Sequence, residues 1–184
     1  MTPSVRRKFT ILDGMILVAA IACGFAMRRA MEGAFDNVLS LDNWLGRTTR
    51  EPVRAMLPFL LMLTPAVLAL RLRRPRPELR RLARQPGMAA SCAAIWPIAM
   101  TLAGFAWTYG TRTPPSGDPT WAVRNDGMVL DDCGAKVGIF VLAAWLSLAL
   151  SGRRRPERSW IDRLGRIIGI GWILILAIDI LGVL

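Results

Sequence analysis

The chain contains no histidine. That removes haem ligation by imidazole, His-containing zinc sites, and any Ser-His or Cys-His catalytic pair. Lysine is nearly absent too: of 24 basic residues only Lys8 and Lys136 are not arginine. The three cysteines, Cys23, Cys92 and Cys133, are far apart and form no Cys-x-x-Cys, so no disulfide framework is implied. Without histidine, catalysis would have to rest on Asp or Glu with arginine, and no such cluster falls inside the apolar segments. Neither a repeat nor a catalytic signature is present, which points away from an enzyme and gives no reason to expect a cofactor or a metal.

What the chain has in quantity is apolar surface and arginine. It is 53% hydrophobic with mean hydropathy +0.38, yet 20% of its 184 residues are charged. That combination suits several apolar spans separated by charged loops. The net charge of +11 raises the question of nucleic acid, but the basic residues sit in short loops between apolar runs and form no organised basic domain.

The most basic of these loops, Arg71 to Pro86, carries Arg71, Arg73, Arg74, Arg76, Arg80, Arg81 and Arg84 against the single acid Glu78. Short arginine-rich loops stay on the cytoplasmic side, which fixes the orientation of everything before and after them. The reading is an all-α polytopic membrane protein with five transmembrane helices, N-terminus in and C-terminus out. The spans are expected at about 10–27, 54–72, 88–109, 135–151 and 164–184, in one membrane domain of 1–184. This orientation puts sixteen basic residues inside and eight outside, a consistent twofold alternation. The same arginines are expected to hold anionic lipid headgroups.

Along the chain, Thr10-Ile-Leu-Asp13 fits a capping box with aspartate in place of glutamate, and Ser159-Trp-Ile-Asp162 repeats it before the last span. Phe35, Val38, Leu39, Trp44 and Leu45 recur near helical spacing, so an interfacial amphipathic helix is expected at 34–46. Pro58 and Pro65 interrupt the second span, and Thr64 is placed to satisfy a freed carbonyl. The third span is rich in Ala, Gly and Ser, which makes it the expected centre of the bundle. Residues 110–135 read as the longest loop, with Cys133 alone outside.

Asp179 stands between Ile178 and Ile180, well inside the last span. An intramembrane acid is by default a functional-site hypothesis. As a proton or cation relay it would be paired with Arg28, Arg29, Arg54 or Lys136. As a structural group it would rest in the outer interface, hydrated or ion-paired. Asp13 divides in the same way between cap and ion pathway.

The opening Arg6-Arg7-Lys8-Phe9-Thr10-Ile11-Leu12-Asp13, running into Leu17-Val-Ala-Ala-Ile-Ala22 and Gly24, resembles the start of many small, uncharacterised bacterial multi-pass membrane proteins. These combine a basic-Phe-Thr-x-x-Asp opening with an Ala/Gly-rich helix. The resemblance covers about the first 30 residues. It implies insertion into a bacterial inner membrane and brings no site residues. Residues 6–26 also resemble a signal peptide with a weak cleavage site at Gly24-Phe-Ala26, and Ala20-Ile-Ala-Cys23 loosely resembles a lipobox, from which it departs by Ala20 where a branched apolar residue is usual and by Asp13 inside the apolar run. The function expected is that of a non-enzymatic accessory, assembly or structural subunit. Its helices would pack on a membrane-protein partner or on further copies of the chain. The alternative is a small transporter or channel subunit using Asp179.

Overall fold

The computed structural model describes residues 9–35, 44–73, 85–111, 121–152 and 159–183. Five helices account for nearly all of them: α1 Ile11–Phe35, α2 Trp44–Leu72, α3 Pro86–Thr111, α4 Trp121–Leu150 and α5 Trp160–Val183. Among the described residues there is no strand. Every helix contains a stretch long and apolar enough to cross a membrane: Ile11–Ala30, Ala55–Leu72, Pro86–Gly104, Cys133–Leu150 and Trp160–Leu181. A helix satisfies its backbone within one segment, as a spanning element must, and the architecture is that of a multi-pass membrane protein.

The helix ends follow from local sequence. At α1 the Thr10 hydroxyl accepts from the Asp13 amide at 3.3 Å, and the Asp13 carboxylate accepts from the Thr10 amide at 3.1 Å. This is the reciprocal box, and it satisfies two of the amides a helix start leaves open. Ser159 begins α5 similarly, its hydroxyl accepting from the Asp162 amide at 3.2 Å. Pro86 opens α3, a position where a missing N–H costs nothing. Gly152, at φ 62°, is the left-handed residue that stops α4.

Helices α2 to α5 pack together, with α5 against all three others and α1 on the flank of α2. The buried interior runs through Leu57, Leu60 and Val67 of α2, Ala90 and Ala94 of α3, Val137 and Val141 of α4, and Ile168, Trp172 and Ile175 of α5. Glycine sets the closest approaches. A methyl group at Gly138 would stand 2.7 Å from the Trp172 carbonyl oxygen, and one at Gly165 would stand 2.7 Å from the Gly87 carbonyl oxygen. On the flank, Gly24 lets Phe59 lie against α1, and Phe25 meets the same ring edge-on at 4.9 Å.

Midway through the core, Trp172 donates its indole N–H to the Thr64 hydroxyl at 3.1 Å, and Thr64 donates to the Leu60 carbonyl at 2.6 Å. The carbonyl freed by Pro65 is that of Leu61. Thr64 serves its neighbour in the ladder and fixes the indole as well.

Three expectations from the sequence are corrected or redrawn. The third span shares the centre of the bundle with α5, since each packs against the other three of helices α2 to α5. Small residues of α3 are buried only near its start; Ala99, Ala103, Gly104 and Ala106 are exposed, because the glycines that admit a neighbouring backbone lie elsewhere. Residues 110–135 are not one loop: α4 begins at Trp121, fourteen residues before the expected span, and Cys133 is buried in the core. Its first turns mix Arg124, Asn125, Asp126, Asp131 and Asp132 with apolar residues, so hydropathy alone does not register them. Finally, α1 continues to Phe35 and α2 already includes Trp44, so both edges of the expected interfacial helix at 34–46 belong to long helices. Its middle, like Pro77–Arg84, lies outside the described residues.

Candidate functional site

Polar side chains gather where α1, α3 and α5 begin and α2 and α4 end. Asp13, 0 % exposed, faces Arg73 just beyond α2, with 3.4 Å between Oδ1 and Nη1. Arg71, in the last turn of α2, is 7 % exposed. Its guanidinium donates to the Gln85 side chain that precedes α3 and, at 3.4 Å, to the Ser159 hydroxyl that precedes α5.

Asp162 is 3 % exposed. Its Oδ1 accepts from the Gly87 amide at 3.0 Å, and its Oδ2 lies 3.4 Å from Arg166 Nε one turn along α5. The Trp145 indole of α4 donates to the Pro86 carbonyl at 2.9 Å. Ser91 donates to the Gly87 carbonyl at 3.0 Å. Every helix is thereby tied into this end.

The logic is that of caps shared between helices. The residue before α3 is Gln85, a weak cap, and its side chain is taken by Arg71. The start of α3 is instead capped by Asp162 of α5, which serves the Gly87 amide from another helix. A carboxylate at a helix start also meets the positive end of the helix dipole. Gly87 and Gly165 make this possible, since a side chain at either would drive the two backbones apart. Chemically the assembly is a clasp, in which each buried carboxylate is committed to a helix amide and an arginine.

The residues singled out on the sequence fall in different places. Arg71, grouped there with the headgroup-facing arginines, is turned inward, because Gln85 and Ser159 stand ready to accept from it. Arg73 is exposed and reaches Asp13. Arg74, Arg76, Arg80, Arg81 and Arg84 lie outside the described residues. Asp13 makes the cap read from the sequence and takes an arginine besides.

Asp179 stands apart, near the far end of α5. It is half-buried, one helical step beyond Trp172 and Ile175 on the side of α5 that meets the core. Among the described residues it makes no hydrogen bond or ion pair within 4.0 Å. Arg28 and Lys136, two of the partners considered for it, are exposed and engaged elsewhere.

Sequence reasoning missed the part Asp162 plays between helices, although Ser159-x-x-Asp162 signalled a cap. Trp145 and Gln85 gave no signal at all. Among the described residues no three His, Cys, Asp or Glu side chains lie close enough to hold a metal ion. Comparison with protein-family models, curated proteins and solved structures returns no match.

Proposed function

We propose that this chain is a non-enzymatic accessory or assembly subunit of a bacterial inner membrane. The observation that carries the reading is how the polar groups of the spans are spent. Thr64 and Trp172 bind each other, Asp162 and Ser91 bind the start of α3, and Trp145 holds Pro86. What faces outward is long apolar surface, above all Ile11, Met15, Val18 and Phe25 of α1 and Trp96, Met100, Leu102 and Trp107 of α3. A bundle tied internally and apolar outside is suited to holding other membrane helices and offers them little chemistry.

The orientation follows the charge of the segments that join or precede the helices. Residues 1–8, 74–84 and 153–158, at the clasp end, carry twelve basic residues and the two acids Glu78 and Glu157. Residues 36–43 and 112–120, at the other end, carry Arg112 against Asp36, Asp42 and Asp118. Basic residues mark the cytoplasmic side, so the chain sits N-in and C-out, with the clasp at the inner headgroups. In a variant with Cys23, Cys92 and Cys133 replaced by serine, a cysteine at Ser116 is labelled on intact cells by an impermeant reagent and one at Glu78 is not. The reverse pattern overturns the orientation.

A second reading rests on Asp179. A half-buried carboxylate in a span with no partner among the described residues is what a proton- or cation-conducting subunit presents. One purification separates the two. Native membranes are solubilised in mild detergent, the tagged chain is isolated, and co-eluting proteins are identified. The accessory reading expects an integral membrane partner in fixed ratio. A chain that elutes alone or as a symmetric oligomer, and conducts protons in liposomes until Asp179 is changed to Asn, replaces it with the transport reading.

A further inference from the structure

We propose that the clasp end carries a binding site for one phospholipid with an anionic headgroup, at the seam where α1 and α5 begin. The inference rests on the reading of this end as lying at headgroup level and names the lipid it selects. It starts from Trp160, the first residue of α5. Its ring meets Phe9 edge-on, with centroids 5.1 Å apart, and its indole N–H is buried with no acceptor among the described residues. Buried donors are nearly always paired, so an orphan one calls for an explanation. Phe9 is 59 % exposed and precedes α1, so its ring can swing aside without unwinding the helix.

Among the described residues the exposed charge around this seam is positive. Asp13 and Asp162 are both buried and both occupied by a helix amide and an arginine. The side chain left facing outward is Arg163 in the first turn of α5, beside Arg73 and Arg166, which pair with the two acids. A phosphate oxygen here would accept from the Trp160 indole and lie against Arg163. A zwitterionic headgroup would bring its own cation against the same arginines.

Apolar surface continues from the seam toward the middle of the bundle. On α5 the exposed residues Ile167, Ile170 and Leu174 follow Arg163 at helical spacing. On α2, Phe59 meets α1 and Leu60 meets α5, two directions about 100° apart on one helix. Between them lie the half-buried Leu63 and the exposed Met56. An acyl chain lying along this strip would carry its headgroup to Arg163 and Trp160.

The test uses the full chain, purified and delipidated in detergent. Retention of phosphatidylglycerol and of phosphatidylcholine is read by native mass spectrometry, and melting temperature is read in parallel. Phosphatidylglycerol is expected to stay bound and to raise the melting temperature, and phosphatidylcholine to do neither. Trp160→Phe keeps the ring contact with Phe9 and removes the N–H; Arg163→Gln removes an exposed charge. Each should weaken phosphatidylglycerol retention roughly threefold to tenfold, and Arg163→Gln should leave the melting temperature in lipid-free detergent unchanged. Arg29→Gln, exposed on α1 at the far end of its span, should retain lipid as the unaltered chain does. Equal retention of the two lipids overturns the proposal, as does full retention by both variants or an equal loss in Arg29→Gln. Inorganic phosphate that alone reproduces the rise in melting temperature assigns the site to free anions and overturns it as a lipid site. None of these outcomes depends on whether a protein partner co-purifies.

Discussion

The two ends of this bundle are built on different principles. At the clasp end the helices are joined by directed bonds: Asp13 to Arg73, Arg71 to Ser159, Asp162 to the start of α3, Trp145 to Pro86. Toward the far end close packing is set by glycine and by aromatic shape, with Gly134 against Ile175, Gly138 against Trp172 and Leu176, and Phe25 against Phe59, and Arg28, Trp107 and Lys136 take part in polar or ring contacts there as well. In sequence, basic segments adjoin the helix termini of the clasp end and acidic ones those of the far end. The contrast has a physical source. In a bilayer, apolar side chains gain little from leaving lipid for protein, so helix association depends on close packing and on polar bonds. Near the headgroups, charged side chains remain affordable, and there the chain uses them to set which helix ends meet. Deeper in, it uses glycine, and one hydroxyl at Thr64.

The sharpest way to break the contrast is to make the same change in both regions. Gly165→Ala places a methyl group 2.7 Å from the Gly87 carbonyl oxygen, a backbone atom that cannot rotate away. The two helices must separate, and Asp162 then loses its reach to the Gly87 amide. The expected loss is roughly 1–3 kcal/mol, seen as a clear fall in melting temperature in detergent. Gly104→Ala meets nothing within 4 Å. It should hold or gain up to about 1 kcal/mol, since alanine is the better helix former. Equal responses at the two positions would show that the backbone contact at Gly165 does not set the approach of α3 and α5.

How far these ends could be read from the chain differs in the same way. The five apolar runs were legible because a span is a composition, and composition survives without coordinates. The capping box at Thr10 and Asp13 was legible because both partners lie within one turn. The rest of the clasp was not, because it joins residues distant in sequence. Asp162 reaches Gly87, Arg71 reaches Ser159 and Trp145 reaches Pro86, and nothing local to any of them points at its partner. Small-residue content pointed to the third span as the centre, and only the first half of α3 answers to it, for a related reason. What matters is whether a small residue faces a neighbouring backbone, and Gly165 does where Gly104 does not. The extension of α4 back to Trp121 was missed because its first turns are too polar for a hydropathy reading and carry no cap signal strong enough to replace one.

The last and smallest effect concerns the two acids of α5, which sit at opposite ends of one helix. Asp162→Asn keeps an oxygen for the Gly87 amide and removes the charge facing Arg166. The surviving bond is neutral and weaker, and a partly buried arginine is left facing an amide; the cost is roughly 1–2 kcal/mol. Asp179→Asn removes a carboxylate that has no partner among the described residues. Asparagine is nearly the same shape, so no cavity opens, and stability should move by less than about 0.5 kcal/mol. Asp179→Leu should be neutral or slightly stabilising, because a carboxylate in a span carries an insertion cost that leucine does not, a cost that shrinks toward the helix end. Thermal unfolding of the three variants beside the unaltered chain, in one detergent, decides it. A fall for Asp179→Asn as large as that for Asp162→Asn would mean that Asp179 holds a cation or an arginine after all.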